Sequence, residues 1–399
     1  MGVLGDTTMV LLGLVVFSSV YWLWAFACAA RVQNLRPAGT TYAPPVTVLK
    51  PVRNDDGQLY SNLRSFCDQD YPLYEVLFGV RNADDPAVAV VDRLIREFPQ
   101  LDLACIVTGA PIGSNRKVST LEALSRFARY DTLVVADADM RVGPDYLRAV
   151  VTPLADPSVG LVTCLYRGIA SGGLASTLGA MFINEWFIPG VMVGARLAPL
   201  RNAFGATLAC RGDVLASIGG FAALADHLAD DYMMGALISR RGLRIVLAPY
   251  LVSNIVVEQN LRGLVFHELR WVRTFRTVRP LAYVWTGVTH GIPLAMLLLA
   301  VAGPTPAAMT ALAVNVLIRC GGRVALYRRL GVPMRWSTAR LVPVRDVLSF
   351  ALWALSFLGR QVHWGDERFS VDAEGRLHPV VAAGKTAPPQ GAEQTTGSL

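Results

Sequence analysis

Lysine is nearly missing: only Lys50, Lys117 and Lys385 stand among 37 basic residues. Charge of any sign is scarce, at 17% of residues where an ordinary soluble domain carries roughly 25%. With 53% apolar and aromatic residues and a mean hydropathy of +0.40, that scarcity excludes a disordered chain, which needs low hydrophobicity and high charge. It also argues against a purely soluble enzyme, because so much apolar surface needs lipid as well as a core. Cysteine pairs at C-x-x-C spacing are absent. The six cysteines (Cys28, Cys67, Cys105, Cys164, Cys210, Cys320) therefore read as neither a zinc site nor a disulfide framework, and as mostly buried free thiols of a reducing compartment. The net charge of +7 is too modest for nucleic acid and suits anionic lipid heads or phosphates.

The 399 residues allow two or three domains at about 150 residues each. Met9 to Ala30 is an uncharged apolar run, long enough as a helix for ~30 Å of hydrocarbon. No Lys or Arg precedes it, which favours an uncleaved anchor over a signal peptide. Arg31 and Arg36 follow, so the positive-inside rule places the downstream domain in the cytoplasm. Leu281 to Gly303 is a second span. Met309 to Leu326, interrupted by Asn315, Arg319 and Arg323, is a third. Val347 to Leu358 is short and reads as part of a fourth span, a re-entrant piece or an interfacial helix. The expected layout is an anchor over 1–30, a catalytic domain over 31–280, a membrane region over 281–362 and a tail over 363–399, disordered beyond about 381.

Between the anchors, strand and helix signals alternate. Val46–Leu49, Glu75–Val80, Leu103–Val107 and Thr132–Ala136 read as strands. The apolar spacing of Val90, Val91, Leu94, Ile95 and Phe98, and the stretch from Val118 to Arg129, read as helices. This alternation predicts an α/β domain with a parallel, Rossmann-like sheet, whose ligands bind beyond the carboxyl ends of the strands.

Acidic clusters stand at two such ends. Asp137 and Asp139 are i and i+2, so both carboxylates reach one face and suit Mg²⁺ or Mn²⁺ carried by a diphosphate. Asp84-Asp85-Pro86 reads as a helix start with Pro86 at the first helical position and an aspartate cap, or as a carboxylate accepting from a nucleotide base. Lys117, after Asn115, opposes the dipole of the helix it begins, which points to a nearby anion. In Asp230-Asp231 the like charges repel, raising one carboxyl towards the range of a general base; a helix start dressed with acids is the plainer reading. Arg270 suits a diphosphate, while Arg273, Arg276 and Arg279 read as positive-inside bias. Leu174 to Leu200 is apolar but holds Asn184, Glu185, Pro189 and Arg196, making a poor span. It is either an internal helix region or a surface dipping into the bilayer interface, with Met181, Phe182, Trp186 and Phe187 facing lipid.

The order of Lys50-Pro51, Asp84-Asp85-Pro86, Asp137-x-Asp139, Gly219-Gly220-Phe221, Asp230-Asp231 and Arg270-Trp271 resembles membrane-anchored family 2-type glycosyltransferases. Within these it is most similar to the ceramide glucosyltransferase branch (family 21). The stretches Phe204-Gly205-Ala206-Thr207, Leu228 to Tyr232 and His267 to Trp271 resemble the bacterial hopanoid-biosynthesis glycosyltransferases. The resemblance covers about residues 45 to 370. It implies a GT-A fold flanked by transmembrane helices of the inner membrane, a UDP-sugar donor, a divalent cation (Mg²⁺ or Mn²⁺) and inversion by single displacement. Asp231 would be the base. Asp137 and Asp139 would hold metal and diphosphate, and Asp84 or Asp85 the uridine. Lys50, Asn115, Lys117, His267, Arg270 and Trp271 would complete the donor site. Trp186, Gly220, Phe221 and Asp230 would lie on the acceptor side. His267 departs from the family's Gln or Arg, and Asp230 from a frequent Glu.

The expected reaction moves N-acetylglucosamine from UDP to a hydroxyl of a hopanoid polyol such as bacteriohopanetetrol. Glucosylation of ceramide is the alternative. Too few spans are present for a polysaccharide channel or a transporter with repeated midplane helices. A non-catalytic membrane scaffold would not need aspartates at every motif. The expected partners are the donor, the lipid and the membrane, with no nucleic acid.

Overall fold

A computed structural model describes residues 3–32, 42–359, 361–364, 367–372 and 374–380. Val3–Ala29 (α1) opens the chain. Val46–Pro51 (β1), Leu59–Cys67 (α2), Tyr74–Val80 (β2), Ala87–Glu97 (α3), Asp102–Val107 (β3), Arg116–Ser125 (α4) and Thr132–Val135 (β4) then alternate. Strands β3, β2, β1 and β4 are parallel neighbours, as the alternation predicts. β1 and β2 are buried on both faces, so they read as continuous apolar runs. Val48 packs into the cluster of Phe78, Val91, Leu94 and Tyr146, whereas its neighbour Leu49 packs into that of Val118, Leu121 and Phe221. The pleat thus builds two apolar layers, one on each side of the sheet.

The second half departs from the expected parallel sheet. Met140–Arg141 (β5), Tyr146–Val151 (α5), Val159–Ala170 (β6), Gly173–Phe182 (α6), Ile188–Leu197 (α7), Leu208–Arg211 (β7), Gly212–Ser217 (α8), Asp230–Arg240 (α9) and Arg244–Val256 (β8) follow. The sheet has eight strands in the order β3-β2-β1-β4-β7-β6-β8-β5. β7 runs antiparallel between β4 and β6, and β5 antiparallel to β8. An apolar run reads the same in either direction, so periodicity carries no sign of this reversal.

Leu261–Val278 (α10), Pro280–Trp285 (α11), Gly291–Ala302 (α12), Pro306–Leu330 (α13) and Leu341–Ser356 (α14) complete the helices. Among the described residues, three helices are long and apolar enough to cross a membrane: Gly5–Ala29, Gly173–Leu197 and Pro306–Leu330. The expected continuous span from Leu281 is broken, with 61° between its two halves. The break is held because the Thr289 carbonyl accepts from Trp22 Nε1 at 2.7 Å and Ser18 Oγ at 3.1 Å. A carbonyl freed in apolar surroundings needs such partners.

The middle of the Leu174–Leu200 segment is packed inside the molecule, while Leu174 and Leu197 at its ends are exposed. It passes through a π-helical turn, Ile183–Phe187. Asn184 grips both the N–H and the carbonyl of Gly168 at 2.9 Å, tying the turn to β6. Met181 is buried. Phe187 packs on Tyr166. Trp186 lies against Trp22 and His290 and donates to Asp346 at 3.2 Å, so its packing is interhelical instead of facing a lipid acceptor.

Gln361–Trp364 (β9), which straddles the expected start of the tail at 363, and Glu367–Val371 (β10) and Leu377–Pro379 (β11) within it form an antiparallel sheet. Strands of this length carry almost no periodicity. The sheet packs Val362, Phe369, Val371 and Leu377 on Leu228. Arg273 and Arg276 donate to the carbonyls of Leu358 and Gly359 at 2.8 Å, which gives these arginines a structural task beyond charge bias. The expected disorder beyond 381 and the orienting Arg36 lie outside the described residues.

Candidate active site

Asp137 and Asp139 leave the end of β4, and the chain brings four further elements to them. Lys117, in the first turn of α4, places its Nζ 2.6 Å from Asp137 Oδ1 and 3.3 Å from Asp230 Oδ2. The anion expected near this lysine is thus the protein's own carboxylates. Asn115 caps α4 through Val118 N–H at 3.0 Å and donates to the His227 carbonyl at 2.9 Å. It therefore fixes the loop that leads into Asp230-Asp231. Asp231 is the second residue of α9; its Oδ2 accepts from Gly205 N–H and its Oδ1 from Tyr232 N–H, both at 2.7 Å.

Gly205 is the meeting point. A Cβ there would lie 2.8 Å from Asp137 Oδ2, 3.4 Å from Asp231 Oδ2 and 3.5 Å from Lys117 Nζ. Only a glycine lets the backbone approach these groups. The resemblance marked the stretch Phe204–Thr207 without giving its glycine a role; the signal for that role is a glycine in the turn entering a strand that adjoins the acidic strand end.

The electrostatics follow from crowding. Burial pushes the Asp231 carboxyl up to about 6, Asp230 adds to the rise, and Lys117 opposes it. Burial, then Asp137, raises Asp139 above the carboxylate range, against a 2.7 Å hydrogen bond from Asn254 Nδ2. Burial works against the Lys117 ammonium, yet Asp137, Asp230 and Asp231 overcome it and hold the group above the ordinary lysine range.

α10 contributes His267, Arg270 and Trp271, spaced i, i+3 and i+4 on one face. Burial lowers Arg270 while Asp137, Asp230, Asp231 and Asp139 act in the opposite sense, which puts the guanidinium in the field of all four carboxylates. Trp271 stacks on Phe182 and meets His267 edge-on. His267 Nδ1 is 2.6 Å from Glu258 Oε1, a partner that no motif announces.

Other expected site residues are placed differently. Lys50 is fully buried, with Nζ donating to the Asp137 carbonyl at 2.6 Å over the Phe66 ring, so it braces the aspartate turn from the core. Burial drops its ammonium to about 7 despite Asp137 and Asp139. Phe221 is sealed in the core, and Gly220 makes the positive-φ turn before it, which assigns both to scaffold rather than acceptor contact. Pro86 is itself the cap residue of α3, not its first residue. Asp85 Oδ1 accepts from Asn54 N–H at 2.8 Å and Ala87 N–H at 2.9 Å, joining the loops after β1 and β2; Asp84 is exposed.

Among the described residues there is no cluster of three or more side chains able to hold a metal. Asp137 and Asp139 supply two hard oxygen donors at one strand end. That set fits Mg²⁺ or Mn²⁺ whose remaining ligands come from a diphosphate and water.

The chain matches the description of glycosyl transferase family 21 over residues 10–377. The chain belongs to glycosyl transferase family 21. Ceramide glucosyltransferase 1 of Caenorhabditis elegans is 26% identical over 208 residues, 52% of this chain and 44% of the relative. Beta-monoglucosyldiacylglycerol synthase of a Synechocystis strain is 28% identical over 169 residues, 37% of this chain and 35% of the relative. This family 21 chain thus spans half or less of the length of the curated relatives it matches. A mannosyltransferase of Pyrobaculum calidifontis, solved with GDP-mannose and Mn²⁺, superposes over 88% of this chain and 99% of its own, with TM-score 0.52 at 21% identity. That likeness shows the fold, of the GT-A kind. The family match extends through β9 and β10 into β11.

Proposed function

We propose that this family 21 glycosyltransferase moves a sugar from a UDP donor to a hydroxyl of a membrane lipid, with inversion. The observation that carries the reading is the convergence of Asp137, Asp231 and Lys117 on Gly205, with Asp230 and Arg270 beside them and apolar helices adjoining. Asp231 takes the proton of the acceptor hydroxyl, a weak nucleophile without a base. Asp137 and Asp139 would hold Mg²⁺ or Mn²⁺, which when bound supplies positive charge to the diphosphate. Arg270 and Lys117 add fixed charge where the leaving group gains it. Asp85 or Asp84 meets the uracil. A base on the face opposite the leaving group inverts the anomeric centre.

N-acetylglucosamine and a hopanoid polyol form the leading substrate pair, on the motif resemblance. Glucose and ceramide form the second, favoured by the ceramide glucosyltransferases among the relatives. The cleft is read as facing the cytoplasm at the inner membrane, since Arg31 closes the first apolar helix. The test crosses UDP-N-acetylglucosamine and UDP-glucose with a hopanoid polyol, ceramide and diacylglycerol, using full-length protein in lipid with Mg²⁺ or Mn²⁺ and mass spectrometry. A glycolipid that vanishes in Asp231→Asn supports the reading, and its identity selects the pair. Unchanged UDP affinity after Asp137→Ala with Asp139→Ala would sink the metal and diphosphate assignment.

A further inference from the structure

Beside the carboxylate cluster lies a cavity of about 140 Å³. Asp139, Glu258, His267 and Trp271 line it together with the aliphatic Val256 and Leu264 and with Gly179, where a Cβ would lie 3.2 Å from Leu264. Glu258 follows the end of β8 and is only 15% exposed. Its Oε1 lies 2.6 Å from His267 Nδ1. Nδ1 faces that carboxylate, which leaves Glu258 Oε2 as an acceptor and Nε2 as a ring atom that a hydroxyl can meet as donor or acceptor. The pair therefore offers carboxylate oxygen and ring nitrogen side by side, matched to two neighbouring hydroxyls.

Asp56, Glu258 and Glu268 line this cavity with Asp139. An anion enters such a cavity only with a cation, as at Asp139, whereas the Glu258 end favours an uncharged, hydroxylated group. The other wall is aliphatic. Gly179 belongs to the Gly173–Leu197 helix, which is long and apolar enough to cross a membrane. A Cβ on Gly179 would lie 3.0 Å from Val256 Cγ1 and 3.2 Å from Leu264 Cδ1, so a larger residue would push this wall away from Glu258. A ligand with hydroxyls at one end and methylenes at the other satisfies both walls.

We propose that Glu258 and His267 bind neighbouring hydroxyls of the lipid acceptor's headgroup, with Gly179 and Leu264 against its first methylenes; this moves His267 from the donor side that the resemblance implies to the acceptor side. This rests on the lipid-acceptor reading above and names the chemistry that selects the acceptor. The test compares wild type with Glu258→Gln as full-length protein in detergent. Two acceptors of equal chain length are used, one ending in a 1,2-diol and one in a single hydroxyl. The expected result is a rise of about tenfold in KM for the diol, the scale of one hydrogen bond to a charged group, with the mono-alcohol and the donor KM within about twofold. Donor hydrolysis without acceptor reports folding and donor binding, and stays unchanged. A change in donor KM or donor hydrolysis, or equal losses on both acceptors, overturns the proposal. Absence of transfer to any lipid by wild type that binds UDP overturns the lipid reading itself, a different result.

Discussion

Around Gly205, three carboxylates share Lys117, and with Asp139 all four lie in the field of Arg270; in the helix bundle, Arg319, Arg323 and Arg345 each have a carboxylate of their own. Arg319 takes Asp346 through two hydrogen bonds of 2.7 and 2.9 Å. Arg345 takes Glu268 through two of 2.7 and 2.8 Å, and Arg323 lies 3.1 Å from Glu185. Both regions are withdrawn from water, yet the outcomes differ. One-to-one pairing leaves no residual charge for a ligand, and its value is geometric: Arg319 sits 3.7 Å over the Trp22 ring, and Arg345 locks α14 to the helix that carries Arg270 and Trp271. The crowded cluster keeps a surplus of negative charge and raises Asp231, the condition of a site awaiting a cation and a proton.

The comparison breaks most sharply at Asp231. Asp231→Asn is expected to lower kcat on the order of 10²–10⁴ while leaving the thermal midpoint unchanged or higher, since it relieves repulsion with Asp230. Activity and unfolding measured on the same preparation decide this; a lower midpoint with modest loss of rate would make Asp231 structural. The paired region should behave in the opposite way. Arg345→Met alone leaves Glu268 buried and unpaired, at about 3–5 kcal/mol of stability. Arg345→Met with Glu268→Leu should recover most of it, read by unfolding in detergent. An undiminished loss in the double variant would show that the pair is not acting as a unit.

A smaller effect comes from pH. The base works deprotonated and its carboxyl sits at about 6. The rate therefore rises with pH through that value and is about tenfold lower one unit below it. Lys117→Met removes the charge that opposes the rise, so the inflection should move upward in a pH–rate profile. The smallest change is Asp85→Ala. Losing an acceptor for Asn54 and Ala87 costs about 1 kcal/mol of stability, with weaker UDP binding by calorimetry if this carboxylate also meets the uracil.

The first four strands were legible because each is an apolar run ended by a charged or turn residue, and Asp137 with Asp139 because the strand period puts i and i+2 on one face. Gly205 and Glu258 were not. One matters for lacking a side chain where three charged groups converge, and the other for a histidine nine residues away. Lys50 was misplaced for a related reason. Its neighbourhood in sequence suits a cleft, yet its side chain turns inward to the Asp137 carbonyl. The arginines of α13 looked like interruptions of a span, because hydropathy counts a charge without its partner.

Sequence alone determined the alternation of the first elements, the acidic strand end, and the places of the first and third expected apolar helices, all properties of residues within a few positions of one another. Tertiary structure decided the reversed strand β7, the broken helix at Thr289, and which charges are neutralised and which are left in surplus. Arg319 reaches the Glu185 carbonyl across 134 residues, and Lys117 reaches Asp230 across the width of the site. Coulombic and hydrogen-bond energies depend on ångströms through space, and separation along the chain does not encode those distances.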